Sequence, residues 1–273
     1  MRHPLLAAGL LLLLAGPSFA GQARVRASAQ INEITSDDIK SEIMFGKEVA
    51  ATILGKYPLY RNEPMTRYAN LVAKSLARFS NRPELDFTVG ILDSDMVNGI
   101  SAPGGYIFIT RGAIEAMDDE AEFAGVLAHE IIHVAQRHIV KELKIRGSDS
   151  STAAGMSRLI GGGSESVKTA VATAMEGAMK ILFERGYKKD DEMEADKLGT
   201  MLAASAGYDP TALKRYFTKL GSHKSAETAS IEKIHQPLDE RIVLVGGVIE
   251  KNGLSEGGYI GAERFRKFVP KKK

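Results

Sequence analysis

The stretch that decides the reading is Leu127-Ala128-His129-Glu130-Ile131-Ile132-His133. It lies in a run from Asp119 to Lys144 that reads as one long helix. Acidic residues open the run, and Lys141, Lys144 and Arg146 stand near its end, as the helix dipole prefers. At about 100° per residue, His133 lies about 40° around the helix from His129, so both imidazoles share one face. Glu130 lies about 60° beyond His133, within reach of a water held between the rings. Two neutral imidazoles at i and i+4 make half of a tetrahedral zinc site, and the adjacent carboxylate supplies a base.

Such a site needs a third protein ligand. The 273 residues contain no Cys, so the ligand must be His, Asp or Glu. The same absence excludes disulfides, a thiol nucleophile, iron–sulfur clusters and a lipid anchor on Cys. His138 stands nine positions after His129, about 180° around a continuous helix, and is expected to face away as a solvated histidine. The acidic candidates lie further on, in Glu192-Met193-Glu194-Ala195-Asp196, which opens a helix. Glu192 and Asp196 share a face, while Glu194 points elsewhere. Taken alone, this is a solvated acidic helix start. Opposite the His129–His133 helix, one carboxylate can bind metal while the other orients a ligating histidine from behind. His235 and Arg241 form a third piece, since a His and an Arg near a metal suit the oxyanion of a tetrahedral intermediate.

Working outward, Ser36-Asp37-Asp38 starts a helix that runs to Lys56, and Pro64 to Phe79 forms a second. Asp86–Leu92 and Tyr106–Ile109 read as strands, with a turn at Pro103-Gly104-Gly105. Short helix Ala113–Met117 precedes the long one. Val167–Arg185, Asp190–Ala206, Pro210–Leu220 and Asp239–Glu250 are helical, and an apolar stripe from Val167 to Leu182 is either core or a lid surface. The picture is one α+β domain over 36–269, mostly helical with a small sheet. Residues 147–165 are a Gly/Ser-rich loop, able to act as a lid. Residues 21–35 are polar and expected to be mobile, and 270–273 form a basic tail.

Residues 1–20 read as a secretory signal peptide. Arg2 and His3 precede the apolar run Leu5–Ala15, and Ser18-Phe19-Ala20 offers a cleavage site. Export to the periplasm, without a lipid anchor, is the expectation. Hydrophobic residues make up 44% and charged residues 26%, which fits a folded soluble chain, and the net charge of +2 gives no footprint for nucleic acid.

The sequence resembles the zinc endopeptidases of the HtpX and type I CAAX-prenyl-protease family, most of all the exported BepA–LoiP branch and the Oma-type core. Three blocks carry the likeness in order: Asn98-Gly99-Ile100-Ser101-Ala102-Pro103-Gly104-Gly105-Tyr106-Ile107-Phe108-Ile109-Thr110, then His129–His133, then Glu192–Asp196 followed by Gly199. His235–Arg241 is a weaker fourth. Gly99 and Ser101 stand where the family usually has Ala. No counterpart to the membrane helices of some members is visible, so what the family implies about membrane substrates carries over poorly.

The resemblance implies a zincin-like (gluzincin) metallopeptidase domain whose small sheet has an edge strand bordering the active site. It implies one Zn2+ per chain on His129, His133 and Glu192, with Glu130 as general base and Asp196 behind the ligands. His235 and Arg241 would stabilise the oxyanion, or His235 would cap the zinc and hold the enzyme latent. Asn98, Gly104, Gly105, Tyr106, Ile107 and Phe108 would bind an extended substrate by strand pairing. The expected substrates are unfolded or misassembled envelope proteins. Peripheral contact with membrane or outer-membrane proteins is a further option, no nucleic acid is expected, and the oligomeric state stays open. The rival readings are a chaperone-like binder with little proteolysis and a hydrolase of a non-peptide amide. Casein cleavage separates the first rival, and the strand block disfavours the second.

Overall fold

A computed structural model describes residues 34–145, 165–222, 231–232, 234–254 and 257–269. The expected signal peptide, residues 21–33, nearly all of the 147–165 loop and the basic tail lie outside the described residues.

Helix α1 (Ser36–Lys56) starts at a capping box one residue earlier than expected. Thr35 Oγ1 accepts from the Asp38 amide at 3.1 Å, and Asp38 Oδ2 accepts from the Thr35 amide at 3.0 Å. Helix α2 (Glu63–Ala77) is capped by Asn62 and carries Pro64 in its first turn. Strands β1 (Thr88–Leu92), β2 (Gly99–Ala102) and β3 (Tyr106–Thr110) form a sheet in the order β1-β3-β2. β1 runs parallel to β3, pairing Val89 with Ile107, and β2 runs antiparallel to it, pairing Ile100 with Phe108.

The sheet corrects the sequence reading. Tyr106–Thr110 is the central strand, with both edges already paired, so it offers no edge to a substrate. Its faces are buried too: Ile107 and Ile109 enter one core cluster and Phe108 the other. Gly104 and Gly105, at φ 76° and 100°, make the turn from β2 and are buried. The edge that borders the site belongs to β2, a strand the sequence reading missed.

After β3 come α3 (Arg111–Glu115) and α4 (Glu120–Ala135). The long helix expected from Asp119 to Lys144 is broken. Arg137 takes a left-handed conformation, φ 60° and ψ 37°, and a separate helix α5 (His138–Glu142) begins beyond it. Helix α6 (Glu165–Lys180) continues into a wider turn at Ile181–Arg185. Val171, Ala178 and Leu182 of its apolar stripe are buried in the second core with Met175 and Met179 packed against them, so that stripe is core; the Val167 side chain is outside the described part. Then follow α7 (Lys189–Ser205), α8 (Ala212–Ser222), α9 (Leu238–Lys251) and α10 (Ala262–Phe268). Among the described residues no helix is long and apolar enough to cross a membrane.

Two buried ion networks tie distant parts of the chain together. Glu42 of α1, fully buried, accepts from Arg82 at 3.2 and 3.1 Å and from Arg137 Nε at 2.8 Å. Glu120 at the start of α4, also fully buried, accepts from the Tyr68 hydroxyl at 2.8 Å, the Tyr208 hydroxyl at 2.9 Å and both arms of Arg264 on α10. Both carboxylates lie in low dielectric and are paired on every side, which burial of a charge requires.

Candidate active site

Helix α4 is buried from Glu120 to Val134 and is capped by Asp119, whose side chain accepts from the Glu122 amide at 2.9 Å. Helix α7 crosses it at Gly199. A Cβ there would lie 2.9 Å from the His129 backbone nitrogen, so the two backbones touch where only glycine fits. Glu192 and Asp196, about two turns and one turn before Gly199, are thereby laid against His129 and His133.

His129 Nε2 and His133 Nε2 face each other at 3.0 Å. Glu192 presents Oε1 to His133 Nε2 at 3.4 Å and Oε2 to His129 Nε2 at 3.8 Å. Tetrahedral zinc with bonds of about 2.0–2.1 Å sets its ligand atoms about 3.3 Å apart, so these spacings suit the ion. Glu192 Oε1 is buried and has no hydrogen-bond partner, an orphan acceptor that a cation would satisfy. His235 joins the group from the segment before α9: its Nδ1 is 2.9 Å from Glu192 Oε2, and His129, Glu192 and His235 together offer ligand atoms within 4.8 Å of one another.

Burial disfavours charge on His129, His133, Glu192 and Asp196, and neighbours decide each outcome. Burial dominates at His133 and pushes it down to about 3, against the pull of the adjacent Glu192 carboxylate. At His129, burial is overridden by the Asp196 hydrogen bond, and the pKa rises. Burial would raise Glu192, but His235 and His133 hold it well below the usual carboxylate range. Burial would raise Asp196 as well, and the Arg241 guanidinium holds it at about 2. Two ionised carboxylates beside a neutral His133 form the donor set a divalent cation needs.

Behind the ligands, His129 Nδ1 is 2.9 Å from Asp196 Oδ1 and donates to it, leaving Nε2 as the free lone pair. Arg241, expected to face the oxyanion, is engaged elsewhere. It donates Nε to Asp196 Oδ2 at 2.8 Å and Nη2 to Oδ1 at 2.6 Å, and lies over the Phe217 ring at 4.0 Å. His138, expected to be solvated, is 2% exposed. The break at Arg137 invalidates the helical projection and swings His138 back, so that its Nδ1 is 2.8 Å from His133 Nδ1 and its Nε2 is 3.1 Å from Glu194 Oε2.

Glu130 is 2% exposed, and its Oε2 has no hydrogen-bond partner. It opens into a cavity of about 20 Å³ walled by Val97, Val126, Leu213, Tyr216, Phe217 and Ile231. Asn98, the one member of the expected substrate strand that reaches this cavity, also has a buried, unpartnered Oδ1. Beside it, Gly99 lies against Glu130: a Cβ there would meet Oε1 at 2.5 Å. Asn98 O accepts from the Thr110 amide, so the alternation of an antiparallel ladder turns the Gly99 and Ser101 backbone groups away from β3, toward the open edge. On that edge the Tyr187 hydroxyl donates to Ser101 O at 3.0 Å, and the Tyr187 ring stacks on His133 at 3.8 Å. Tyr187, Ser101 and His138 are the site residues that sequence reasoning missed.

Residues 65–247 match the family described as "Peptidase family M48". A "Beta-barrel assembly-enhancing protease" of Yersinia pestis is 28% identical over 233 residues, covering 77% of this chain and 45% of its own. "Metalloprotease YcaL" of Escherichia coli K12 is 29% identical over 170 residues, 62% of this chain and 64% of its own. "Mitochondrial metalloendopeptidase OMA1" of Arabidopsis thaliana is 28% identical over 150 residues, 55% and 29% respectively. The chain belongs to peptidase family M48. The family is one of peptidases, and two of these relatives carry metalloprotease names. The chain spans less than half the length of the assembly-enhancing proteases it matches.

Proposed function

We propose that this protein hydrolyses peptide bonds in unfolded or misassembled envelope proteins, with one Zn2+ held by His129, His133 and Glu192. The observation that carries the reading is the convergence of these three side chains around the unpartnered Glu192 oxygen, with Glu130 on the same turn of helix. A zinc ion held by these residues would supply Lewis acidity to the scissile carbonyl and lower the pKa of the attacking water. Glu130 takes the proton from that water and hands it to the leaving amine, worth about 10²–10⁴-fold. An extended chain pairs along the open edge of β2 at Gly99 and Ser101, and strand pairing of this kind selects for unfolded backbone over sequence. The small cavity beside Glu130 has room for about one water, and Asn98 Oδ1 accepts from the substrate backbone.

The sequence of residues 1–20 supports export to the periplasm, and the printed names of several relatives point toward β-barrel assembly in the envelope. The test is casein cleavage by the protein and its Glu130→Gln variant, with metal content read on both. Equal zinc with cleavage lost only in the variant supports the reading; a wild-type chain that takes up no zinc sinks it.

Two contacts favour a latent resting form of the same enzyme. His235 lies within ligating range of His129 and Glu192, and the Tyr187 hydroxyl occupies Ser101 O on the β2 edge. His235→Ala should then raise casein cleavage, and an unchanged rate would remove latency from the account.

A further inference from the structure

The two candidate histidine ligands are held in different ways. His129 rests on Asp196, an ionised carboxylate itself clamped by Arg241. Among the described residues no carboxylate meets the Nδ1 of His133; His138 does, at 2.8 Å. We propose that His138 is a positioning residue for the metal site, acting as the middle member of a chain from Glu194 through His138 to His133. The inference rests on the reading of His133 as a ligand.

Hydrogen-bond roles follow from that reading. A ligating His133 turns its Nε2 lone pair to the metal, so its Nδ1 carries the hydrogen and donates to His138 Nδ1. His138 then accepts at Nδ1 and carries its own hydrogen on Nε2, which donates to Glu194 Oε2 at 3.1 Å. One acceptor at the end of the chain fixes the tautomer of both rings. The fold holds His138 firmly in this role. The left-handed Arg137 reverses the chain, and Ile139 and Val140, each 3% exposed, anchor α5 in the second core. The stacked Tyr187 ring limits rotation of His133 on its remaining face.

A residue that only filled space here would affect stability alone. A positioning residue affects zinc affinity and the tautomer of His133. The experiment compares the full chain with its His138→Ala and His138→Asn variants. Zinc affinity is measured by chelator competition, melting temperature on the metal-free proteins, and the His133 tautomer by nitrogen NMR of the metal-free ring.

His138→Ala should bind zinc about 10- to 100-fold more weakly, the usual cost of losing a partner behind a ligand. Its His133 signal should shift toward the tautomer with hydrogen on Nε2. In His138→Asn, Oδ1 occupies the place of Nδ1, so it should return zinc affinity to within about threefold of the unaltered protein. Glu194→Ala, at a side chain 41% exposed, should weaken zinc about threefold, with Glu194→Gln restoring it. That pair carries the test if His138→Ala does not fold.

Unchanged zinc affinity in His138→Ala, equal losses in Ala and Asn, or a loss that merely tracks the metal-free melting temperature would overturn the proposal while the active-site reading stands. An unaltered protein that takes no zinc would overturn both.

Discussion

Arg241 grips Asp196 through two parallel hydrogen bonds, and neither residue touches solvent: they are 3% and 1% exposed. The pair couples α9 to α7 directly behind His129. Removing one partner leaves a buried charge without compensation, which costs about 3–5 kcal/mol. Arg241→Ala should therefore lower unfolding free energy by that amount in urea titration. Arg241→Lys should recover only part of it, because an ammonium cannot reproduce the two-pronged geometry.

Glu42 is the second buried clamp. It neutralises Arg82 and Arg137 together, and Arg82 also donates to the Val134 carbonyl at the end of α4. Glu42→Ala takes the carboxylate from Arg137 and leaves Arg82 with Glu84, so a loss of about 3 kcal/mol is expected. The loss should appear as early exchange of α1 amides in hydrogen-exchange mass spectrometry. Uniform exchange across the domain would show instead that α1 is held by its apolar face alone.

Alkaline pH should unfold the protein through its buried tyrosines. Burial, reinforced by the Glu120 carboxylate, raises Tyr68 and Tyr208 far above the usual phenol value of 10.0, and burial does the same to Tyr216. A raised folded pKa contributes stability that is complete below pH 10 and declines as pH rises further, because only the unfolded chain then loses the protons. Denaturant midpoints should stay level up to about pH 10 and fall above it. Tyr68→Phe with Tyr208→Phe should flatten that fall.

Metal removal should cost stability as well as activity. A ligand that binds only the folded state stabilises it by about 2.7 kcal/mol at 100 times its dissociation constant. Zinc added to chelated protein should raise the melting temperature progressively with concentration. The Glu192→Gln variant, which keeps the shape but loses the ionised ligand, should show almost none of that rise. Equal shifts in both proteins would place the stabilising ion elsewhere.

What was legible in the sequence is what helical periodicity alone determines. His129 and His133 share a face wherever their helix packs, and so do Glu192 and Asp196. Their meeting required only that the two helices cross, which Gly199 permits. His138 was misread because one left-handed residue, Arg137, resets the helical phase, and nothing in an Arg side chain announces that conformation. Strand β2 escaped notice because Gly99-Ile100-Ser101-Ala102 offers one large apolar side chain and no alternation. The central place of β3 did have a signal. Ile107-Phe108-Ile109 is an unbroken apolar run, the mark of a strand buried on both faces. Helix α10 is short and polar and buries only Phe265, so it carried no periodicity to read. Arg241 lies beside His129, but sequence gives no direction to a guanidinium, and Asp196 holds it.

The Glu120 network sets the order in which a newly made chain can finish folding. Glu120 emerges 144 residues before the Arg264 that neutralises it. Until then, a carboxylate destined for full burial sits beside two phenols with no counter-charge, and the start of α4 stays hydrated. The helix that carries His129 and His133 is therefore expected to seal only after α10 has docked on it. A molecule clipped ahead of Arg264 would retain every ligand and the base, yet could not close around them. Its loose α4 would make it resemble the unfolded chains that the intact enzyme is proposed to destroy.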